Sequence, residues 1–148
     1  MQDLFNELKS LLLHLEQSRV SYALCGGFAL AVHGYVRATE DIDLLTPEVD
    51  ALAVSAASAG FTVRNPPMSL AAGSVLITRL LKPAGSEMLW LDLVHVTPAT
   101  SPAWEGRERQ ETDLGTVTVV SREGLRSLKL LRSSPLDMND IECLTRLP

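Results

Sequence analysis

Along this chain the apolar positions change period several times, and each change marks an element. Leu4, Phe5, Leu8, Leu11, Leu12 and Leu15 recur every three or four residues, with Asp3, Glu7, Lys9 and Glu16 on the other faces. That spacing predicts an amphipathic helix. "VSYALCG" is a short apolar run that ends in Gly26-Gly27 and reads as a buried strand. "FALAVHG" reads as a short helix closed by Gly34. "EDIDLLT" is the next strand, and Pro47 suits the first turn of a helix through "EVDALAVSAASA" that Gly60 stops.

The second half begins with a short strand, "FTVR", and a turn-rich loop, "NPPMSLAAG". Two long β-like runs follow, "SVLITRLLK" and "EMLWLDLVHV", joined by "PAGS", which predicts a hairpin. "PATSPAWEGRERQET" is polar and expected to be partly helical, and "LGTVTVVS" reads as one more strand. Ser121 can cap a helix through about Ser133, and Pro135 can start a last one ending near Leu147. No internal repeat or low-complexity linker interrupts the chain. The pattern predicts one domain over residues 1–148, with a core at about 20–96 and a C-terminal helical part at about 121–147. The expected class is α+β, an α/β sandwich with a mixed sheet, helices mainly on one face and two closing helices.

Composition narrows the setting. A chain of 148 residues with 46% hydrophobic content can bury a real core. No apolar run approaches the roughly 20 residues that span a bilayer, and "MQDLFNELKS" lacks the features of a signal peptide. A cytoplasmic protein with no membrane partner is expected. Cys25 and Cys143 are too few for a disulfide framework or a zinc site, and both are expected to be reduced. The net charge of −5 argues against broad electrostatic binding to nucleic acid. An acidic protein can still hold a polyphosphate through a bridging metal ion.

Candidate chemistry begins at Asp41 and Asp43. Residues two apart in a strand share a face, so Ile42 and Leu44 pack inward while both carboxylates point the same way. Two like charges held that close raise each other's pKa unless a cation lies between them. Mg²⁺ prefers such oxygen ligands together with substrate phosphates. Against this stands a plain strand end in solvent. Asp92 sits among apolar neighbours in "MLWLDLVHV" and needs a partner, either a cation at a shared three-carboxylate site or an arginine. Three such carboxylates would suit a two-metal site for phosphoryl chemistry.

Gly26-Gly27, between a strand and a helix, would let a phosphate approach the backbone, although tight turns also use such pairs. Arg37 lies four residues before Asp41 and could reach a triphosphate or sit in solvent. Arg122, Arg126 and Lys129 form a basic stripe of the kind usually solvated. His14 and His33 have no partner at ligand spacing, and His95 should point away from Asp92. Neither G-x-S-x-G nor G-x-G-x-x-G occurs.

Taken together, "CGGFALAVHGYVRATEDIDLL" resembles the signature of the nucleotidyltransferase superfamily that shares its core with DNA polymerase β. That signature is a hydrophobic residue, Gly-Gly or Gly-Ser, a spacer, and Asp-hydrophobic-Asp, with a third carboxylate on a later strand, which Asp92 in "WLDLV" matches. "VSREGLRSLKLLRSSPLDMNDIECL" resembles the closing helices of AbiEii-type and related minimal bacterial nucleotidyltransferases, with Lys129, Asp137 and Asp140 at the matching positions. Gly27 replaces the frequent serine, and Ser134 and Leu136 stand where the family often has Arg and Lys.

The resemblance implies transfer of an NMP from an NTP such as ATP to an acceptor hydroxyl, with pyrophosphate leaving. Asp41 and Asp43 would hold Mg²⁺ or Mn²⁺, and Asp92 would complete the site and help deprotonate the acceptor. Gly26 and Gly27 would admit the triphosphate, and Lys129 would neutralise it. The acceptor could be RNA, a protein or a small molecule such as an antibiotic. A toxin paired with an antitoxin is one implied setting. The competing expectation, prompted by Ser134 and Leu136, is an inactive protein of the same fold that binds nucleotide or a partner without turnover.

Overall fold

The computed structural model of the chain describes residues 4–148, so Asp3, expected on the polar face of the first helix, lies outside the described residues. Helix α1 (Leu4–Ser18) buries Leu8, Leu11, Leu12 and Leu15, the stripe that its periodicity predicts. Then follow β1 (Ala23–Cys25), α2 (Gly26–Val32), β2 (Asp41–Thr46) and α3 (Val49–Ser58). β3 (Val63–Arg64), β4 (Met68–Leu70), β5 (Val75–Ala84) and β6 (Glu87–His95) form the strand-rich middle. The chain closes with α4 (Ser101–Glu105), β7 (Glu108–Thr112), β8 (Gly115–Val119), α5 (Arg122–Arg132) and α6 (Pro135–Arg146).

The strands make one mixed eight-stranded sheet in the order β3-β5-β6-β2-β1-β8-β7, with β4 also on β5. β2 runs parallel to β6 and antiparallel to β1, and β5 is antiparallel to β6. The long β5–β6 hairpin pairs Ala84 with Glu87, so its turn is Gly85-Ser86. Gly85 takes the left-handed φ of 66° that such a tight turn requires.

Two segments are more ordered than their sequences suggest. The turn-rich 65–73 loop contains β4 and a short 3₁₀ turn at Ala71–Gly73. The polar "ERQET" forms β7, a sheet edge with a full ladder to β8. No residue of either strand is fully buried: β4 alternates Met-Ser-Leu over only three residues, and β7 has no apolar residue at all. Backbone hydrogen bonds to a neighbour hold them, and side-chain periodicity carries no trace of that.

Helices cover both faces of the sheet, and strand alternation separates the layers. Lys82 of β5 reaches Glu7 of α1 at 2.8 Å, whereas Arg79, three positions earlier, projects from the opposite face. Val75, on the side of Arg79, faces Leu125 and Leu128 of α5 across a small pit. Helix α3 packs beside α1, and α6 packs on α5. Ile42, Leu44, Leu91 and Leu93 are fully buried, so β2 and β6 form the centre of the core. Among the described residues no helix is long and apolar enough to cross a membrane.

The closing helices are defined by their caps. Ser121 Oγ accepts the Gly124 N–H at 3.0 Å and starts α5. Ser133 ends it in the left-handed conformation, φ 52°. One residue later Ser134 begins α6 with a capping box to Asp137. The hydroxyl of Ser134, at the position where the resemblance expects a cation, is thus committed to a helix start.

Candidate functional site

The parallel register of β2 and β6 sets Asp43 directly beside Asp92 and Asp41 beside Trp90. All four side chains share one face, because each pair is two residues apart along its strand. Asp41, Asp43 and Asp92 therefore converge, and one carboxylate oxygen from each lies within 4.8 Å of the others. The alternation that brings them together also sends Ile42 and Leu91 into the core.

Burial first, then the charges of Asp41 and Asp92, push the Asp43 carboxyl up to about 8. Burial and Asp92 also raise Asp41. Such a cluster is short of positive charge, and oxygen-only donors at this spacing fit a hard divalent cation. The residues present thus fit the ion that the sequence resemblance implies.

Asp92 has a protein partner as well. Arg79 on β5, its register neighbour, donates from Nε to Oδ1 at 2.8 Å and from Nη2 to Oδ2 at 2.9 Å. The guanidinium lies over the Trp90 ring, 4.1 Å from its centroid. Asp92 thus pairs with an arginine, as one of its two sequence expectations had it, and also lies in a carboxylate cluster. Each carboxylate oxygen has a second lone pair, so the arginine pair leaves Asp92 able to ligate. Arg79 was not legible beforehand. The only signal was that "SVLITRLLK" carries two cations, Arg79 and Lys82, and which of them meets Asp92 depends on where the hairpin turns.

The glycine pair sits against this cluster. Gly26 has φ 68°, and a Cβ there would lie 2.2 Å from Asp43 Oδ2. A Cβ on Gly27 would lie 1.9 Å from Thr39 Oγ1. Both glycines are needed so that the 39–43 segment can approach the β1–α2 turn closely. Cys25, next to Asp43 in register, is buried, and burial and then the Asp43 charge push its thiol well up. It and Cys143 are both free thiols.

Arg37 and Lys129 are brought together, though not at the carboxylates. Arg37 donates from Nε to Asp140 Oδ1 and from Nη2 to Oδ2, both at 2.9 Å. Lys129 Nζ lies 2.9 Å from Asp140 Oδ2 and 3.8 Å from Asp137 Oδ1. Lys129 is buried, unlike the other residues of its sequence stripe, Arg122 and Arg126. It also lines the pit of about 40 Å³ beside Gly26 and Asp43, along with Cys25, Asp137 and Arg132. The histidines stay apart: His33 Nε2 donates to the Val120 carbonyl at 2.8 Å, and His95 meets Thr78 Oγ1 at 2.8 Å on the sheet face away from Asp92.

No protein-family model and no curated protein matches the chain. Solved structures do. The chain is similar to an antigenic nucleotidyltransferase-like protein from Paracoccidioides brasiliensis, at 19% identity and TM-score 0.55 over 94% of this chain and 75% of that one. It is similar to the lincosamide antibiotic adenylyltransferase LnuA, lincomycin-bound, at 18% identity and TM-score 0.61 over 97% of both chains. It is also similar to ANT(2″)-Ia in complex with adenylyl-2″-tobramycin, at 17% identity and TM-score 0.58 over 95% of this chain and 87% of that one. The chain has the fold of the nucleotidyltransferases, the superfamily that its Gly26-Gly27 and Asp41, Asp43 signature resembles.

Proposed function

We propose that this protein is a metal-dependent nucleotidyltransferase that moves an NMP from an NTP to an acceptor hydroxyl. The observation that carries the reading is the convergence of Asp41, Asp43 and Asp92 against the Gly26 turn, on a nucleotidyltransferase fold. Asp41 and Asp43 would hold Mg²⁺ or Mn²⁺, and Asp92 would complete the ligand set. When bound, such an ion neutralises phosphate charge and polarises the phosphoryl oxygens.

The rest falls to the chain's own residues. Arg79 fixes the Asp92 carboxylate through two hydrogen bonds, so that its free lone pairs keep one direction. Asp92 would take the acceptor proton as the acceptor oxygen bonds to the α-phosphorus and the bond to pyrophosphate breaks. Gly26 and Gly27 let Asp43 and Thr39 close directly on the β1–α2 turn, beside which the triphosphate would lie. Lys129, which lines the pit, would contribute positive charge there, and Arg37 would hold the Asp140 carboxylate to which Lys129 is tied.

For the acceptor, a small hydroxylated molecule is the favoured class. Two similar structures hold one, and the net charge of −5 disfavours RNA. The test is incubation of the protein with each radiolabelled NTP, Mg²⁺ and a bacterial extract, followed by fractionation of the label. Label in small molecules supports this reading. Label in RNA or protein would support transfer with a toxin's class of target, for which an antitoxin partner would then be sought. Asp43→Asn should abolish labelling in each case. A second reading, nucleotide binding without turnover, is favoured by one observation: Ser134 is spent on a helix cap and Leu136 is exposed where the resemblance expects cations. Nucleotide binding with no labelled product in any fraction would select it.

A further inference from the structure

The pit beside Asp43 is bordered by two cations that differ in their commitments. Lys129 is buried and bonds to Asp140 at 2.9 Å, with Asp137 at 3.8 Å. Arg37 holds both oxygens of the same Asp140 carboxylate. Two cations and two carboxylates thus neutralise one another inside the protein. Turning either cation toward a ligand would take from Asp140, whose side chain is 0% exposed, one of its two cationic partners.

Arg132 has no such commitment. It stands in the last turn of α5, is exposed, and pairs with no carboxylate among the described residues. It nevertheless lines the pit with Gly26 and Asp43. Its positive field reaches across the site, where it opposes the upward push on both Asp41 and Asp43. The carbonyls at the end of α5 repel an anion, so attraction at this rim must come from the guanidinium itself. A pit of about 40 Å³ has room for only a few water-sized groups, so a polyphosphate would lie across its mouth, within reach of a long side chain at the rim.

We propose that Arg132 is the side chain that grips the pyrophosphate portion of the nucleotide, while Lys129 and Arg37 act from behind it by fixing α6 through Asp140. This rests on the nucleotidyl-transfer reading and names the phosphate ligand within it. A guanidinium matches two phosphate oxygens at once, and it would remain with pyrophosphate as that group leaves.

The test is calorimetry on the full chain, first with Mn²⁺ alone and then with pyrophosphate in the presence of Mn²⁺. Arg132→Ala should leave Mn²⁺ affinity within about threefold and weaken pyrophosphate by about tenfold or more, the loss of one charge-assisted pair. Arg132→Lys should recover part of that loss. Arg132 is exposed, so its variants should unfold at the wild-type temperature. Equal pyrophosphate binding by Arg132→Ala and wild type would overturn this inference and leave nucleotidyl transfer standing. Failure of the wild type to bind either Mn²⁺ or pyrophosphate would overturn both.

Discussion

Gly26 carries two constraints at once: a left-handed φ and the Asp43 carboxylate where a Cβ would be. Gly85 has nearly the same φ, 66°, with nothing within 4 Å of a built Cβ. The pair separates backbone strain from steric exclusion. Gly85→Ala should cost about 1–2 kcal/mol, the left-handed penalty alone. Gly26→Ala should cost clearly more and also weaken Mn²⁺ binding, because Asp43 must move. Urea unfolding and calorimetry on both variants check this. Asp43 makes a second prediction. Its folded pKa, pushed up to about 8, lies above its unfolded value, so the folded chain favours the protonated carboxyl. The stability this confers is complete below the unfolded pKa and is lost as pH rises through about 8. In the presence of a chelator, wild type should lose stability between pH 5 and pH 9 relative to Asp43→Asn, which cannot ionise. Mn²⁺, which needs the ionised form, should bind more tightly across the same rise.

At the scale of the element, α6 depends on two features at its first half. Ser134 and Asp137 close a capping box, and Asp140 receives Arg37 and Lys129 one turn later. Ser134→Ala should cost about 0.5–2 kcal/mol, the usual loss for an N-cap. Asp140→Asn leaves two cations without their shared carboxylate and should cost more, about 3–5 kcal/mol. Chemical denaturation of the two variants should show that ordering, and a smaller effect for Asp140→Asn would mean that water replaces the carboxylate. The helix starts were legible in sequence because Ser121 and Pro135 act on their immediate neighbours, whereas the cap at Ser134 emerged only in the structure. β7 was not legible either, since "ERQET" has no apolar face and its order comes from β8 alone.

Across the whole molecule, the candidate site is assembled from three distant stretches: residues 26–43, 79–92 and 129–140. The Arg37–Asp140 pair spans 103 residues of sequence and ties the loop before β2 to the last helix. Arg37→Gln should therefore raise hydrogen exchange in α6 as well as around Asp41, whereas a purely local role would leave α6 protected. The core beneath is separable from the site. Leu44→Ala should cost about 2–5 kcal/mol through a cavity in β2. Because Leu44 projects away from Asp43, Mn²⁺ affinity should be preserved where the variant is folded.

The sequence by itself determined what depends on local order. Two-residue alternation set Asp41 and Asp43 on one face, helical periodicity set the buried stripe of α1, and serine and proline set the ends of α5 and α6. It also flagged Asp92, because a carboxylate among apolar neighbours must have a partner. Tertiary structure decided who the partners are. Strand register made Asp92 the neighbour of both Asp43 and Arg79, and helix packing delivered Lys129 and Arg37 to Asp140 while leaving Arg132 without a carboxylate partner among the described residues. The physical reason is that conformational preference is written in neighbouring residues, whereas the state of a charge depends on every group within a few ångströms, wherever those groups fall in the chain.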